Sequence, residues 1–141
     1  MTKVEVTAIA QDYNATEAYA VLCDFEHYPA MSEIVLSIKV DRRSDNRAVS
    51  TWEVRFRDGV LRWTEEDVFD NIAHTIVFKQ LYGDVDDFSG HWRVKDEAGG
   101  GCRIIFKADF DMGIPSLSHI IEPIAEQTLR DNVKSTLIAL T

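Results

Sequence analysis

Two acidic residues in one short segment have the type and spacing that proton transfer requires. Residues 58–70 begin with Asp58-Gly59 and continue through Trp63 to Glu65 and Asp67. Side chains at alternate positions of a strand share a face, so these acids point the same way with Cα atoms ~6–7 Å apart. Carboxyl groups this close in a partly dry cavity raise each other's pKa, and one can then hold a proton near neutral pH. The segment therefore indicates general acid–base chemistry.

A second interpretation of the same acids involves no catalysis. The far end of the strand can reach the mouth of a cavity, where Glu65 and Asp67 are hydrated or paired with Lys79 or Arg103. Structural ion-pair networks perturb carboxyl pKa values as catalytic pairs do. The sequence leaves both interpretations open.

The Asp58-Gly59 dipeptide predicts a tight β-hairpin with a two-residue loop. In the register set by that loop, Arg57 faces Val60 and Arg55 faces Arg62. Alternation then assigns to the inner face Ser50, Trp52, Val54, Phe56, Leu61, Trp63, Glu65 and Asp67. The outer face receives Glu53, Arg55, Arg57, Arg62, Thr64 and Glu66.

The outer arginines have two interpretations. Arg55, Arg57 and Arg62 are either neutralised by Glu53 and Glu66 or form a basic docking surface for an anionic carrier or phosphate. Directly opposed arginines repel each other by some tenths of a kcal/mol. The sequence does not decide between the two.

Periodicity and turn signals predict the elements that position these residues. A strand over 4–9 is followed by a short helix, with Asn14 and Glu17 forming a capping box, and by a second short helical or turn segment over 26–33. Six further strands are predicted over 34–41, 49–57, 60–70, 72–81, 85–94 and 102–111, and one long helix over 116–140. Short, turn-rich connections imply antiparallel neighbours, so the sheet should be a seven-stranded meander in a single α+β domain.

The long helix must cover the apolar face of this sheet. Its apolar stripe comprises Ile121, Ala125, Leu129, Val133, Thr136 and Leu140. Thr128 and Asn132 lie one turn apart beside that stripe, where they either bond to the sheet or point into a cavity beneath the helix. Trp52, Trp63, Phe88 and Trp92 either line such a cavity or form ordinary core.

Composition narrows the class of partner. The 141 residues carry a formal net charge of −9, and such a surface repels phosphate backbones, so we expect no nucleic-acid partner. No apolar run reaches the ~18 residues that span a bilayer, and no signal peptide is visible, so we expect a cytoplasmic protein. Metal-ligand spacing is absent from the histidines, from the two cysteines and from the acidic loop of Asp84, Asp86 and Asp87. We expect Cys23 and Cys102 to be buried thiols.

Several segments together resemble a known family. They are residues 24–29 (Asp-Phe-Glu-His-Tyr-Pro) after the first helix, Trp63, Gly90-His91-Trp92, Phe110-Asp111-Met112 and Arg130-Asp131-Asn132-Val133. Over nearly the whole chain the sequence resembles the START-like (SRPBCC, helix-grip) superfamily, and within it the polyketide aromatase/cyclases. The resemblance implies a curved antiparallel sheet wrapped around a long C-terminal helix, with a ligand cavity between them.

The resemblance also implies a reaction. The family receives a poly-β-ketone tethered to an acyl carrier protein, and promotes its aldol cyclisation and dehydration without a metal or redox cofactor. By this resemblance Trp63 and Trp92 line the cavity and Asn132 contacts the substrate. We expect Glu65 and Asp67 to act as base and acid, and Tyr28 and Asn132 as hydrogen-bonding groups. Trp52, Phe88 and Thr128 complete the predicted substrate contacts, and Arg55, Arg57 and Arg62 the carrier-docking surface.

One departure from the family pattern concerns the acids. In the family, the tryptophan is followed at alternate positions by a small hydroxyl residue and an arginine, where this chain has Glu65 and Asp67. The anchoring arginine is therefore absent at this site, and Lys79 is the nearest candidate for a replacement cation. Two alternatives to an enzyme follow. One is a carrier for a hydrophobic small molecule such as a quinone or lipid, and the other is a protein-interaction module acting through the outer arginines.

Overall fold

The elements of the fold follow the predicted order. The computed structural model describes residues 2–113 and 118–140, so the expected helix start at Ser116 lies outside the described residues. The strands are β1 Thr2–Ala10, β2 Val35–Ser44, β3 Arg47–Phe56, β4 Gly59–Asp70, β5 Thr75–Gly83, β6 Asp87–Asp96 and β7 Cys102–Asp111. The helices are α1 Ala15–Cys23, a 3-10 turn Phe25–His27, α2 Tyr28–Met31 and α3 Ser118–Leu140.

All seven strands form one antiparallel sheet in the order β1-β7-β6-β5-β4-β3-β2. Every neighbouring pair except β1–β7 is consecutive in sequence, which confirms the predicted meander. The β1–β7 pairing brings the two ends of the strand series together over residues 2–10 and 102–110. The fold is therefore the α+β class predicted from periodicity and loop length.

The segment between β1 and β2 begins with the predicted capping box. The Asn14 side chain accepts a hydrogen bond from the Glu17 backbone N–H, and the Glu17 carboxylate accepts one from the Asn14 N–H. These bonds satisfy donors that the first helical turn leaves open. Phe25 and Tyr28, which follow α1, are almost completely buried in the core. The segment thus closes one end of the sheet with aromatic rings.

Helix α3 covers the concave face of the sheet. Of its predicted apolar stripe, Ala125, Val133, Thr136 and Leu140 are buried, and Leu129 is half-buried. The guanidinium of Arg130 donates to the backbone carbonyl of Glu5 in β1 and so ties the helix to the sheet edge. The helix and the sheet thus enclose the interior between them.

The β3–β4 hairpin corrects the predicted register. Its loop is Arg57-Asp58 rather than Asp58-Gly59, because Phe56 pairs with Gly59, and Arg57 takes a left-handed φ of 57°. Each β3 residue therefore pairs with a β4 residue two positions earlier than predicted. An even displacement keeps every side chain on its predicted face, because side chains alternate with a period of two.

One outer-face pairing predicted from the hairpin loop fails because of this register. Arg55 lies opposite Val60, so the predicted Arg55–Arg62 pair does not form. Arg62 instead faces Glu53 and forms an ion pair with it at 3.1 Å. Thr64 is on the outer face but is only 3% exposed. Its hydroxyl bonds the Thr51 hydroxyl at 2.9 Å.

Candidate functional site

A cavity of about 70 Å³ lies between α3 and the concave face of the sheet. At ~15 Å³ for each water-sized sphere it holds roughly five water molecules. Its walls are mainly aromatic and aliphatic, and Glu65 is the one carboxyl group among the described lining residues. The ring-bearing residues of the wall are Tyr28, Trp52, Phe56, Trp63, Phe78, Phe88, Trp92 and Phe106.

The aromatic walls are packed against one another. Trp52 and Trp63 are cross-strand partners whose rings stack with centroids 5.6 Å apart and planes within 5°. Phe88 meets Trp63 edge-on at 5.4 Å, and the rings of Trp92 and Phe106 lie 4.5 Å apart. The four aromatic residues singled out in the sequence therefore lie together on this cavity. Edge and stacked contacts of this kind hold the walls rigidly.

The two acids of β4 lie beneath these rings. Glu65 is 4% exposed and lines the cavity, whereas Asp67 is 0% exposed and lies behind it. The Trp63 indole N–H donates to Glu65 Oε1 at 2.6 Å. The Ser50 hydroxyl donates to Asp67 Oδ2 at 2.5 Å and accepts from the Trp52 indole at 2.8 Å. The inward orientation predicted for both acids is thus observed.

Burial sets the protonation of this pair. Desolvation raises the pKa of Glu65 well above its ordinary value, and the neighbouring Asp67 carboxyl raises it further. Burial also raises the pKa of Asp67, but hydrogen bonds from Glu65 and Ser50 and the positive charge of Arg42 oppose that rise. These directions make Glu65 the weaker acid of the two, so Glu65 is the carboxyl group that keeps a proton to the higher pH. A pair in this state can donate a proton into the cavity.

The cations considered as partners of these acids lie elsewhere. Lys79 is exposed on the outer face of β5, and Arg103 forms an ion pair with Glu97 at 2.5 Å. Within residues 2–113 and 123–140, neither Glu65 nor Asp67 has a salt-bridge partner. Lys79 therefore does not replace the missing arginine, and the two acids are buried rather than exposed at a rim.

Two buried acceptors beside Glu65 were not assigned a role from sequence. Asp67 Oδ1 and Gln80 Oε1 are buried without a hydrogen-bond partner in the described part of the chain, and Gln80 is the β5 residue opposite Glu65. The Gln80 amide N–H is already bound to the carbonyl of Val85. An unpaired buried acceptor is costly, so Asp67 Oδ1 favours a donor beside it, and a protonated Glu65 supplies one. Only the register of β4 with β5 reveals this arrangement.

The three other polar residues predicted to contact substrate, Tyr28, Asn132 and Thr128, instead donate hydrogen bonds to backbone carbonyls. The Tyr28 ring lines the cavity, but its hydroxyl donates to the carbonyl of Leu22. Asn132 lines the cavity too, and its amide donates to the Arg55 carbonyl at 2.6 Å. The Thr128 hydroxyl turns back to the carbonyl of Ile124 and does not line the cavity. Both hydroxyl hydrogens and one of the two Asn132 amide hydrogens are thus bound to backbone carbonyls, and Glu65 is the acidic group on the cavity wall.

The three outer arginines are exposed at the hairpin end. Arg55 donates to the carbonyl of Glu33, and Arg62 is paired with Glu53. Arg55 and Arg57 line a surface groove that shares Asn132 and Ile34 with the cavity. Asn132 and Ile34 therefore border both the cavity and this basic surface.

No group of three His, Cys, Asp or Glu side chains within the described residues is arranged to hold a metal ion. None of the helices described is both long and apolar enough to span a membrane.

Comparisons with known proteins agree with this architecture. Residues 12–136 match the family described as polyketide cyclase / dehydrase and lipid transport. A comparison with curated proteins finds no match.

Several solved structures share the fold. TTHA0849 from Thermus thermophilus aligns with a TM-score of 0.90 and 24% identity, over 99% of this chain and 94% of that one. The Zhui aromatase/cyclase from Streptomyces sp. R1128 aligns with a TM-score of 0.85 and 19% identity, over 99% and 90%. A START superfamily protein from Mycobacterium smegmatis aligns with a TM-score of 0.78 and 14% identity, over 96% and 93%. These likenesses confirm the START-like helix-grip fold.

Proposed function

The chain belongs to the polyketide cyclase / dehydrase and lipid transport family, and we propose that it cyclises and dehydrates a hydrophobic poly-β-ketone by proton transfer. The observation that carries the proposal is Glu65, a carboxyl group buried in an aromatic cavity with its pKa raised by that burial. A carboxylic acid that keeps its proton near neutral pH can act as a general acid.

The charge of the site favours acid catalysis over enolate stabilisation. The buried pair carries a negative charge on Asp67, and a second negative charge on the substrate nearby would be repelled. Glu65 therefore protonates the ketone oxygen that is attacked as the carbon–carbon bond forms. In the dehydration it protonates the departing hydroxyl, the C–O bond breaks and water leaves. The proton lost from the α-carbon returns to Glu65, so the proton count of the pair is unchanged.

Cavity size limits what reacts inside. A volume of about 70 Å³ accommodates a portion of the chain about the size of one ring. The aromatic rings that line the cavity favour a flat, apolar portion of the substrate. The rest of a longer chain would extend past Asn132 and Ile34 into the surface groove.

We assign the delivery of substrate to the same end of the molecule. Arg55 and Arg57 line the groove beside the cavity, and Arg62 is on the adjacent strand. An acyl carrier protein or a phosphate-bearing thioester arm carries negative charge that these side chains would attract. Reversing the charge of Arg55 and Arg57 should slow turnover of carrier-bound substrate and leave turnover of a free thioester close to that of wild type.

The test of the catalytic proposal uses a synthetic poly-β-ketone thioester, with the aromatic product followed by absorbance and mass. We expect Glu65→Gln to lower the rate ~10²–10⁴-fold, the usual contribution of a general acid. Glu66→Gln is a matched control, because Glu66 is the next residue, lies on the outer face of the sheet and pairs with Arg47 at 2.9 Å. Unchanged rate and product distribution in Glu65→Gln would remove this acid from the mechanism.

A second candidate function is the carriage of a hydrophobic small molecule. It is favoured by the mostly apolar lining and by the backbone bonds that occupy the Tyr28 hydroxyl and the Asn132 amide. A carrier should retain an unreacted lipophilic ligand in native mass spectrometry of protein from its own host. It should also bind that ligand equally well in Glu65→Gln, whereas an enzyme should accumulate substrate in that variant.

A further inference from the structure

Ser50 occupies the centre of the polar network beneath the cavity. It is completely buried, it is the cross-strand partner of Glu65, and its hydroxyl joins Trp52 to Asp67. Strand alternation placed it on the inner face without a role. Its hydrogen bonds indicate that it orders the polar groups around the two acids, in addition to filling space between the strands.

The direction of each hydrogen bond in this network is determined by its donors. An indole N–H can only donate. Ser50 Oγ therefore accepts from Trp52, and its own hydrogen goes to Asp67 Oδ2. Glu65 Oε1 accepts from Trp63 in the same way, and because the carbonyl oxygen of a carboxylic acid is its better acceptor, this bond favours a proton on Oε2. Asp67 Oδ1 then remains as a buried acceptor for it.

We propose that Ser50 is a positioning residue: its hydroxyl keeps Asp67 ionised, and Asp67 in turn keeps the transferable proton on Glu65. The proposal deepens the proposed function and rests on it, because the proton so placed is the one donated to substrate. The hydrogen bond from Ser50 lowers the pKa of Asp67, in agreement with this geometry.

Other groups that face the pair act on it independently of Ser50. Arg42, from β2, lowers the pKa of Asp67, and Glu66, from β4, raises it. The buried Tyr28 of α2 interacts with both carboxyl groups. All of these stay in place in a Ser50 variant, so a change in titration there reports the hydroxyl itself.

The experiment follows the carboxyl carbons of ¹³C-labelled, ligand-free protein by NMR across pH, with Glu65→Gln and Asp67→Asn used to assign the signals. We expect Ser50→Ala to raise the lower of the pair's two titration steps by about one pH unit, because a charge-assisted hydrogen bond is lost. Thr51→Ala is the matched control: it removes a hydroxyl bond between the same two strands on the opposite face, and should titrate as wild type does.

A second variant and a second readout keep the test decisive. If Ser50→Ala does not fold, Ser50→Cys, which has a similar size but a weak donor, should move the titration in the same direction. Turnover of the ketone should show the same displacement of its pH profile, which a purely structural role would not produce.

Titration of a folded Ser50 variant that coincides with that of wild type overturns the positioning role, whatever the turnover. If the titration of the Ser50 variant is displaced but wild type itself turns over no ketone, the positioning role is supported and the proposed function is rejected.

Discussion

Replacing Glu65 by glutamine should remove part of the pH dependence of folding stability. Burial raises the pKa of Glu65 in the folded protein, whereas in the unfolded chain it returns to about 4.3. Between these two values the folded state holds a proton that the unfolded chain has lost. The free energy of unfolding therefore falls as pH rises, by about 1.4 kcal/mol per pH unit for one proton. The contribution is complete below the unfolded pKa and is lost as pH rises to the folded pKa.

Glutamine suits this measurement because it preserves the contacts of the site. Its amide oxygen can accept from the Trp63 indole, and its amide N–H can donate toward Asp67, as the protonated acid does. The stability of Glu65→Gln relative to wild type should therefore increase with pH. Asp67 remains in both proteins, so the difference between their pH dependences reports the proton that Glu65 adds to the pair.

The assay is urea unfolding, followed by tryptophan fluorescence at several pH values above the unfolded pKa of Glu65. Glu53→Gln serves as the control here, since its outer-face ion pair with Arg62 contributes at most about 1 kcal/mol. Its pH dependence should stay close to that of wild type. Parallel stability curves for Glu65→Gln and wild type would refute the assignment of a buried proton to Glu65. This measurement needs no substrate, so it tests the site independently of the reaction.

Three further substitutions test the surroundings of the cavity. Tyr28→Phe removes the hydroxyl that donates to the carbonyl of Leu22, and should lower the free energy of unfolding by about 1–3 kcal/mol. A variant as stable as wild type would contradict that hydrogen bond. Arg57→Gly relieves the strain of the left-handed backbone in the hairpin loop, and should raise the free energy of unfolding in urea by about 0.5–1 kcal/mol. A lower free energy of unfolding in this variant would show that the strain is absent. Asn132→Ala removes the bond from α3 to the Arg55 carbonyl, where the cavity borders the surface groove. This should cost about 0.5–1.5 kcal/mol of stability and accelerate exchange of a fluorescent hydrophobic probe, whereas unchanged exchange would show that the bond does not limit access to the cavity.

Local patterns were enough to predict the face on which each acid lies. Glu65 and Asp67 share a face with Trp63 because side chains alternate along any strand, and that relation survives a change of partner by two residues. The capping box of Asn14 and Glu17 was equally predictable, since its atoms belong to one helical turn. Short connections between strands implied antiparallel neighbours in the same way.

Contacts between residues distant in sequence decided the register of the hairpin and the partners of the polar side chains. The hairpin turns at Arg57-Asp58 because the pairing of two whole strands outweighs the preference of one Asp-Gly dipeptide. The Tyr28 hydroxyl is bound to Leu22, and Thr128 faces away from the cavity, because backbone acceptors and helix rotation determine where these side chains point. The chain alone thus determined which side chains face inward, since that depends on backbone geometry shared by every strand. Tertiary structure alone decided which polar hydrogens remain free for chemistry, because a hydrogen bond depends on the position of both its atoms.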